Sequence, residues 1–206
     1  MKINKVMISK ETVERDIDDF VQNECSNSII NRIVLLDGIS DFTFDSVIFN
    51  DIDFTNIELD SISMVDVIFN NCDLSNQSFD KEMLTRVEFN NCKLIGTTFI
   101  DSSLKDVIFN ECVCRYTNFS TSNIERLSIR NSDFTESSFI EPEIKSIEFL
   151  DTNLTKCEFI HSKLKDVDFS TCNINGIVFD TYSLKGIVVD SFQCASLVGI
   201  LGIKVK

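Results

Sequence analysis

Residues 79–119 read FDKEMLTRVEFNNCKLIGTTFIDSSLKDVIFNECVCRYTNF, and every fifth residue is apolar: Phe79, Leu84, Phe89, Leu94, Phe99, Leu104, Phe109, Cys114, Phe119. Working outward, the step holds from Phe44 to Val189, thirty consecutive positions that hold fifteen of the eighteen Phe residues. A helix repeats near 3.6 and a strand at 2, and neither keeps phase with five. The chain is therefore built from a repeat. A second column lies two residues earlier and is smaller: Val47, Ile52, Ile57, Ile62, Val67, Cys72, Val87, Cys92, Thr97, Ser102, Val107, Cys112, Thr117, Ser122. Residues two apart on extended backbone point the same way, so each pentad sends one large and one small side chain inward. The other three positions are mostly Asp, Asn, Ser, Thr, Glu or Lys, as solvent-facing positions should be.

Every twentieth residue falls into one of four columns. One is Leu59, Phe79, Phe99, Phe119, Phe139, Phe159, Phe179, and another is Phe49, Phe69, Phe89, Phe109, Ile129, Phe149, Phe169, Val189. Between them lie Met64, Leu84, Leu104, Ile124, Ile144, Leu164, Leu184 and the mixed set Phe54, Leu74, Leu94, Cys114, Phe134, Leu154, Ile174. Four pentads per turn give a square coil with Phe on two opposite walls. About seven to eight coils at ~4.8 Å each make an all-β solenoid roughly 35 Å long.

Pentads such as Asn71-Cys72-Asp73-Leu74-Ser75, Asn131-Ser132-Asp133-Phe134-Thr135 and Asp166-Val167-Asp168-Phe169-Ser170 resemble the pentapeptide-repeat family. The resemblance covers roughly three quarters of the chain. It implies a right-handed quadrilateral β-helix, and the handedness rests on it alone. No insertion breaks the register between Phe44 and Val189, where several quinolone-resistance members of the family carry projecting loops.

Three segments follow: 1–28 as an N-terminal cap, 29–190 as the β-helix and 191–206 as a C-terminal segment. Lys5 to Ile8 suits a short strand. Ser9 offers an N-cap to a helix through about Gln22, with Val13, Ile17, Phe20 and Val21 at helical spacing; its expected role is to cover the first coil. The fivefold phase extends back through Ile29, Val34 and Ile39, but Arg32 and Asp37 fill the small slot, which predicts an irregular first coil. Gln77 and Glu82 also occupy small inward slots. Because burying an unpaired carboxylate is costly, a local bulge or side chains bent out to water are expected. Pro142 sits in another such slot, tolerable at a corner that needs no N–H.

After Val189 the pattern changes. Phe192, Ala195, Leu197, Val198, Ile200 and Leu201 predict a short helix apolar around too much of its circumference for one contact. Gly202 stops it, and Ile203 to Lys206 alternates like an edge strand. This tail is similar to that of the Qnr-type pentapeptide proteins. The resemblance implies tail-to-tail homodimerisation through Phe192, Ala195, Leu197, Val198, Ile200, Leu201 and Ile203.

No apolar run approaches the ~18 residues of a membrane span, and no signal-peptide pattern opens the chain. Cys72, Cys92, Cys112, Cys157 and Cys172 occupy small inward positions and Cys114 a large one, which points to reduced thiols and a cytoplasmic protein. Cys112-Val113-Cys114 has no second pair or nearby His to complete a metal site. With one His, His161, at an outward position, and no Gly-rich phosphate loop, nothing suggests an enzyme, a cofactor or a metal.

The formal charge of −14 repels nucleic acid and favours a basic partner. Acids gather along one edge: Asp51, Glu111 and Asp151 in one file, Asp53, Asp73 and Asp133 in the next, and Glu88, Glu148 and Asp168 flanking it. Asn50, Asn70, Asn90 and Asn110 form a stacked amide file, and Lys105, Lys145, Lys165 and Lys185 stack on another wall. Two apolar files, Ile100, Ile140, Ile160 and Ile48, Ile68, Ile108, offer a competing contact surface. The resemblance implies a DNA-mimicking protein that binds a type II topoisomerase, DNA gyrase or topoisomerase IV, with fluoroquinolone resistance or toxin immunity as the outcome. The alternative is a scaffold repeat protein with an unrelated protein partner.

Overall fold

The computed structural model describes residues 1–15, 24–31 and 38–204. Strands β1 (Val13–Glu14), β2 (Glu24–Ile30), β3 (Ile39–Asn50), β4 (Leu59–Asn70), β5 (Met83–Asn90), β6 (Ser103–Asn110) and β7 (Asn123–Arg130) stack in parallel in chain order. They are followed by β8 (Ser138–Ile140), β9 (Glu143–Ile144), β10 (Ile147–Leu150), β11 (Glu158–Ile160) and β12 (Val178–Phe179). β10 and β9 close the first stack on β7, while β8, β11 and β12 form a second on another wall. Partners sit twenty residues apart, as in Phe49↔Phe69, Phe69↔Phe89 and Phe89↔Phe109. The result is a parallel β-solenoid of about eight turns.

We number the walls by their large inward residues: the first carries Met64 and Leu84, the second Phe69 and Phe89, the third Leu74 and Leu94, the fourth Phe79 and Phe99. Phe rings of the second wall stack at 4.8–5.1 Å from Phe69 to Phe109, and Phe99, Phe119 and Phe139 of the fourth stack at 4.8 and 4.7 Å. The two files meet edge-on across the core, Phe109 against Phe119 at 6.0 Å and 88°. Stacked and T-shaped contacts are both favoured ring geometries, so the two Phe files pack against each other across the core.

The corners explain the outward composition. The residue two after each large inward position has positive φ almost throughout, from Asp51 (56°) and Asp66 (55°) through Asn71, Asn91, Asp101, Asp106, Asn131, Asp151 and Asp166. This left-handed conformation costs most L-residues energy, and Asn and Asp tolerate it best.

The small inward column has its own logic. Each corner turns a carbonyl inward, and the side chain at the small position donates to it from the next coil. Thr97 Oγ1 donates to the Leu74 carbonyl (2.8 Å), Ser137 Oγ to Cys114 (2.8 Å), Ser162 Oγ to Phe139 (2.8 Å) and Cys112 Sγ to Phe89 (3.2 Å). A buried carbonyl without a partner is unfavourable, so Ser, Thr and Cys do more here than fill space. Cys112 and Cys114 are core residues in this scheme.

Gln77 departs from expectation. It neither bulges nor bends out to water: it is buried, and its Nε2 donates to the carbonyls of Phe54 (2.8 Å) and Ile57 (2.9 Å) while Oε1 accepts from Leu59 N (3.3 Å). A long amide serves three backbone groups where Thr or Ser would serve one. Glu82 is half-buried, and burial pushes its carboxyl above the usual range. Pro142 is buried in its slot.

The N-terminal region differs most from the sequence reading. Ser9 caps a single turn, its carbonyl accepting from Thr12 N (3.3 Å), and Val13–Glu14 then pairs with Ser28 and Ile29 as a strand instead of continuing a helix. Tertiary pairing overrides the helical spacing of Val13; Ile17, Phe20, Val21 and Gln22 lie outside the described residues. Residues 1–9 carry no strand, including Lys5 to Ile8. They run lengthwise along the rod, with Asn4 at Asp106 and Met7 at Asp66. The first coil is one residue short, since Ser28 pairs with Val47 and Ile30 with Phe49. Ile30 is therefore the buried residue where the extended phase selects Ile29; Arg32, Val34 and Asp37 lie outside the described residues.

At the other end α1 (Ser191–Leu197) begins at Asp190, whose carboxylate accepts from Phe192 N (2.7 Å) and Gln193 N (2.8 Å). A 3-10 turn over Val198–Leu201 follows, and Gly202 (φ 74°) ends it in the left-handed conformation expected of a C-terminal glycine. Gln193 Nε2 reaches the Phe169 and Cys172 carbonyls (2.9 and 2.8 Å), closing the last coil much as Gln77 serves an early one. Ile203 and Lys204 form no strand; Val205 and Lys206 lie outside the described residues.

Candidate partner-binding surface

The nine acids selected from the sequence share one side of the rod. Asp51, Glu111 and Asp151 stand at left-handed corners between the second and third walls and are exposed. Asn71 Nδ2 donates to Asp51 (3.0 Å) and Asn91 Nδ2 to Asn71 (2.8 Å), so amides space the acids within this file. Asp53, Asp73 and Asp133 lie on the third wall, and Asp53 and Asp73 are bridge partners in the ladder. Each folds back on the residue two ahead: Asp53 accepts from Thr55 N (2.9 Å), and Asp73 and Asp133 accept similarly from Ser75 and Thr135. The Thr55 hydroxyl and amide hold the Asp53 carboxyl below its usual range.

The nine are not equally free. Arg115 Nε lies 2.7 Å from Asp133, and Lys93 is 3.5 Å from Asp73. Burial opposes ionisation of Asp133, but Thr135 and Arg115 outweigh it and lower its pKa. Glu148, on the second wall, accepts from Arg130 Nη2 (2.6 Å) and Ser128 Oγ (2.7 Å), and the Met1 amino group is 3.4 Å away. Its carboxyl is also held low, those partners outweighing burial. Glu88 is half-buried on the same wall, and Asp168 is exposed, its carboxylate accepting from Ser170 N (2.8 Å). Asp51, Asp53, Glu111, Asp151 and Asp168 thus present the most open negative charge.

Lys105 and Lys145 occupy the first wall, opposite the third, and both approach Glu125, at 3.7 and 3.8 Å. The Asn file is bonded as expected, Asn70 to Asn50 (2.9 Å) and Asn90 to Asn70 (3.2 Å). His161 is a surface residue with Nδ1 3.2 Å from Asp180. Ile100, Ile140 and Ile160 are half-buried on the fourth wall, as are Ile48, Ile68 and Ile108 on the second.

Sequence reading missed the corner file between the first and second walls. Asp66, Arg86, Asp106 and Arg126 follow one another at twenty-residue steps with alternating sign, a signal visible in the sequence. Arg86 binds Asp66 through Nε (2.6 Å) and Nη2 (2.7 Å), and Arg126 binds Asp106 in the same two-pronged way. The Asn4 amide and side chain add to Asp106 (2.9 and 3.0 Å). Burial works against the Asp106 charge, yet Arg126 and Asn4 hold its carboxyl far below the usual range.

At the C-terminus Phe192 is 87% exposed, and Ala195, Ile200, Leu201 and Ile203 are exposed around it, while Leu197 is buried and Val198 half-buried. All eight cysteines are free thiols, seven of them buried. Among the described residues no helix is long and apolar enough to cross a membrane.

The described residues thus form a four-walled parallel β-solenoid with a charged exterior. Residues 62–139 match the family model described as a pentapeptide repeat region. The solved structure of a trypsin-treated form of QnrB1, a plasmid-mediated fluoroquinolone resistance protein, matches with a TM-score of 0.53 at 18% identity, over 98% of this chain and 99% of that one. A pentapeptide repeat protein from the Arabidopsis thaliana thylakoid lumen matches at 21% identity over 57% of this chain and 68% of that one, with a TM-score of 0.35. HetL, a pentapeptide repeat protein involved in heterocyst differentiation regulation in the cyanobacterium Nostoc sp., matches at 11% identity over 91% and 92%, with a TM-score of 0.38. At these identities the likeness concerns fold alone. No curated protein matches the chain in sequence.

Proposed function

We propose that this chain is a non-enzymatic, DNA-mimicking rod that binds a bacterial type II topoisomerase, DNA gyrase or topoisomerase IV, and thereby gives fluoroquinolone resistance or immunity to a gyrase-directed toxin. The observation that carries this reading is the open acidic corner of Asp51, Glu111 and Asp151, flanked by Asp53, Asp73 and Asp133 on one wall and Glu88, Glu148 and Asp168 on the other. Fixed carboxylates along a narrow straight edge offer a basic DNA-binding saddle a charge pattern of the kind a phosphate backbone offers. The fold-level likeness to a fluoroquinolone resistance protein supports the choice of partner class. A cytoplasmic location follows from that partner.

Binding driven this way acts over about one Debye length, ~8 Å at physiological salt, and weakens as salt rises. Changing Asp51, Glu111 and Asp151 together to Lys lowers topoisomerase affinity about tenfold or more at low salt, chiefly through the on-rate. The rod tolerates the change because Lys81 and Lys156 already adopt the same left-handed corner conformation. Changing Lys105, Lys145 and Lys165 to Glu leaves binding unchanged or slightly tighter. Supercoiling by purified gyrase, with and without a fluoroquinolone, together with surface plasmon resonance, reads both. If Ile100, Ile140 and Ile160 to Ser abolishes binding while the charge reversals do not, an apolar docking module for an unrelated partner replaces this account.

The same reading makes the protein a tail-to-tail homodimer through Phe192, Ala195, Leu197, Val198, Ile200, Leu201 and Ile203. Phe192, Ala195, Ile200, Leu201 and Ile203 leave apolar side chains exposed along the C-terminal segment, as an uncovered contact surface does. Deleting residues 191–206 yields a monomer in light scattering with its β-type circular dichroism retained; a persistent dimer removes the tail from the interface.

A further inference from the structure

Residues 1–9 lie along the rod instead of capping its end, and their docking is regular. The Met7 amide donates to Asp66 Oδ1 (2.9 Å), the Asn4 amide to Asp106 Oδ1 (2.9 Å), and the Met1 amino group is 3.4 Å from Glu148. Three residues of strap pass for each two coils of rod. Extended chain rises ~3.3 Å per residue and coils ~4.8 Å, so three residues (~10 Å) match two coils (~9.6 Å). The strap and the acids are commensurate. Strap residues 1–9, MKINKVMIS, carry two Lys and no acid, and the file beneath them alternates Asp66, Arg86, Asp106 and Arg126, with Glu148 paired to Arg130 beyond it.

The attachment is shallow. None of residues 1–9 forms a strand, and Met7 remains 64% exposed above an Asp66 that is 5% exposed. Asp66 and Asp106 keep their two-pronged partners Arg86 and Arg126 whether or not the strap is present, so lifting it strands no buried charge. The rod's parallel ladder does not include the strap at all.

We propose that residues 1–9 are a displaceable strap seated through its main-chain N–H groups on the Asp66–Arg86–Asp106–Arg126 file along the edge of the first and second walls, and that it masks the Glu88–Glu148 side of the partner-binding surface. The file recognises an extended segment that presents a main-chain N–H at every third residue. The masking part rests on the topoisomerase reading above; the seating of the strap does not.

Amide exchange on the full chain tests the seating. Asn4 and Met7 should exchange about 10- to 100-fold more slowly than in a free peptide, the range one hydrogen bond to a charged acceptor supports, and far faster than Phe89 or Val107. No slowing overturns the docking, and exchange as slow as Phe89 overturns displaceability. In the double variant Asn4→Pro, Met7→Pro both docking N–H groups are gone while the rod is untouched. A synthetic peptide of residues 1–10 should bind this variant at least tenfold more tightly than the wild-type chain, where the tethered strap competes at millimolar effective concentration. Adding Asp106→Asn should remove that binding, and equal peptide affinity in all three forms overturns the proposal. Gyrase should bind the double variant several-fold more tightly than wild type, and equal affinity overturns the masking. Gyrase binding by neither form overturns the topoisomerase reading, and the exchange and peptide results then decide the strap alone.

Discussion

Phe119→Ala should lower the melting temperature by roughly 6–20 °C. The ring is fully buried, stacked at 4.8 Å on Phe99 and 4.7 Å on Phe139, and edge-on to Phe109 at 6.0 Å. Removing it deletes contacts on both Phe files and leaves a cavity that parallel coils, fixed at the inter-strand spacing, cannot close by moving together. Phe-to-Ala changes in such cores cost ~3–5 kcal/mol, and in a chain of this size each kcal/mol moves the midpoint by about 2–4 °C. Differential scanning calorimetry reads the shift. An unchanged midpoint would mean that Phe119 does not lie between the files.

Gln77→Leu is the second large effect, and it works through polarity more than volume. The Leu side chain has similar bulk but leaves the Ile57 carbonyl and the Leu59 amide without Gln77, and the Phe54 carbonyl with the Ile57 amide (2.9 Å) alone. Each buried backbone group so stranded costs ~1–3 kcal/mol, so a loss of roughly 2 kcal/mol or more is expected. Gln77→Thr should be milder, because Thr97 in the next coil reaches the equivalent carbonyl, that of Leu74, at 2.8 Å. Urea denaturation of the three proteins gives the ranking wild type, Thr, Leu. A Leu variant as stable as wild type would place the Gln77 side chain outside the coil.

The Gln77 case shows how the sequence reading failed where it did. A pentad pattern says which way a side chain points, but not what backbone group waits for it inside. Polar residues at small inward positions look like errors of pattern until the inward corner carbonyls are seen. The same blindness affected the first coil: a period of five extended past Phe44 selects Ile29, while strand pairing with a coil one residue short buries Ile30.

The sequence by itself determined the repeat, the four walls, the opposed Phe files, the buried cysteines, the Asn file and the C-terminal helix ending at Gly202. These are local and periodic properties: each follows from which of five positions a residue occupies, and neighbouring coils repeat the answer. Tertiary structure alone decided the rest. Arg115, Lys93 and Arg130 neutralise Asp133, Asp73 and Glu148, so the acidic edge is less uniform than its composition. Val13, at helical spacing, became a strand because a parallel edge at Ser28 and Ile29 was available to pair with it. The first nine residues became a strap because their extended rise matches two coils of a rod whose acids recur at that spacing. Such matches join residues as far apart as Asn4 and Asp106, 102 positions, or Met1 and Glu148, farther still, and no window on the sequence spans those distances.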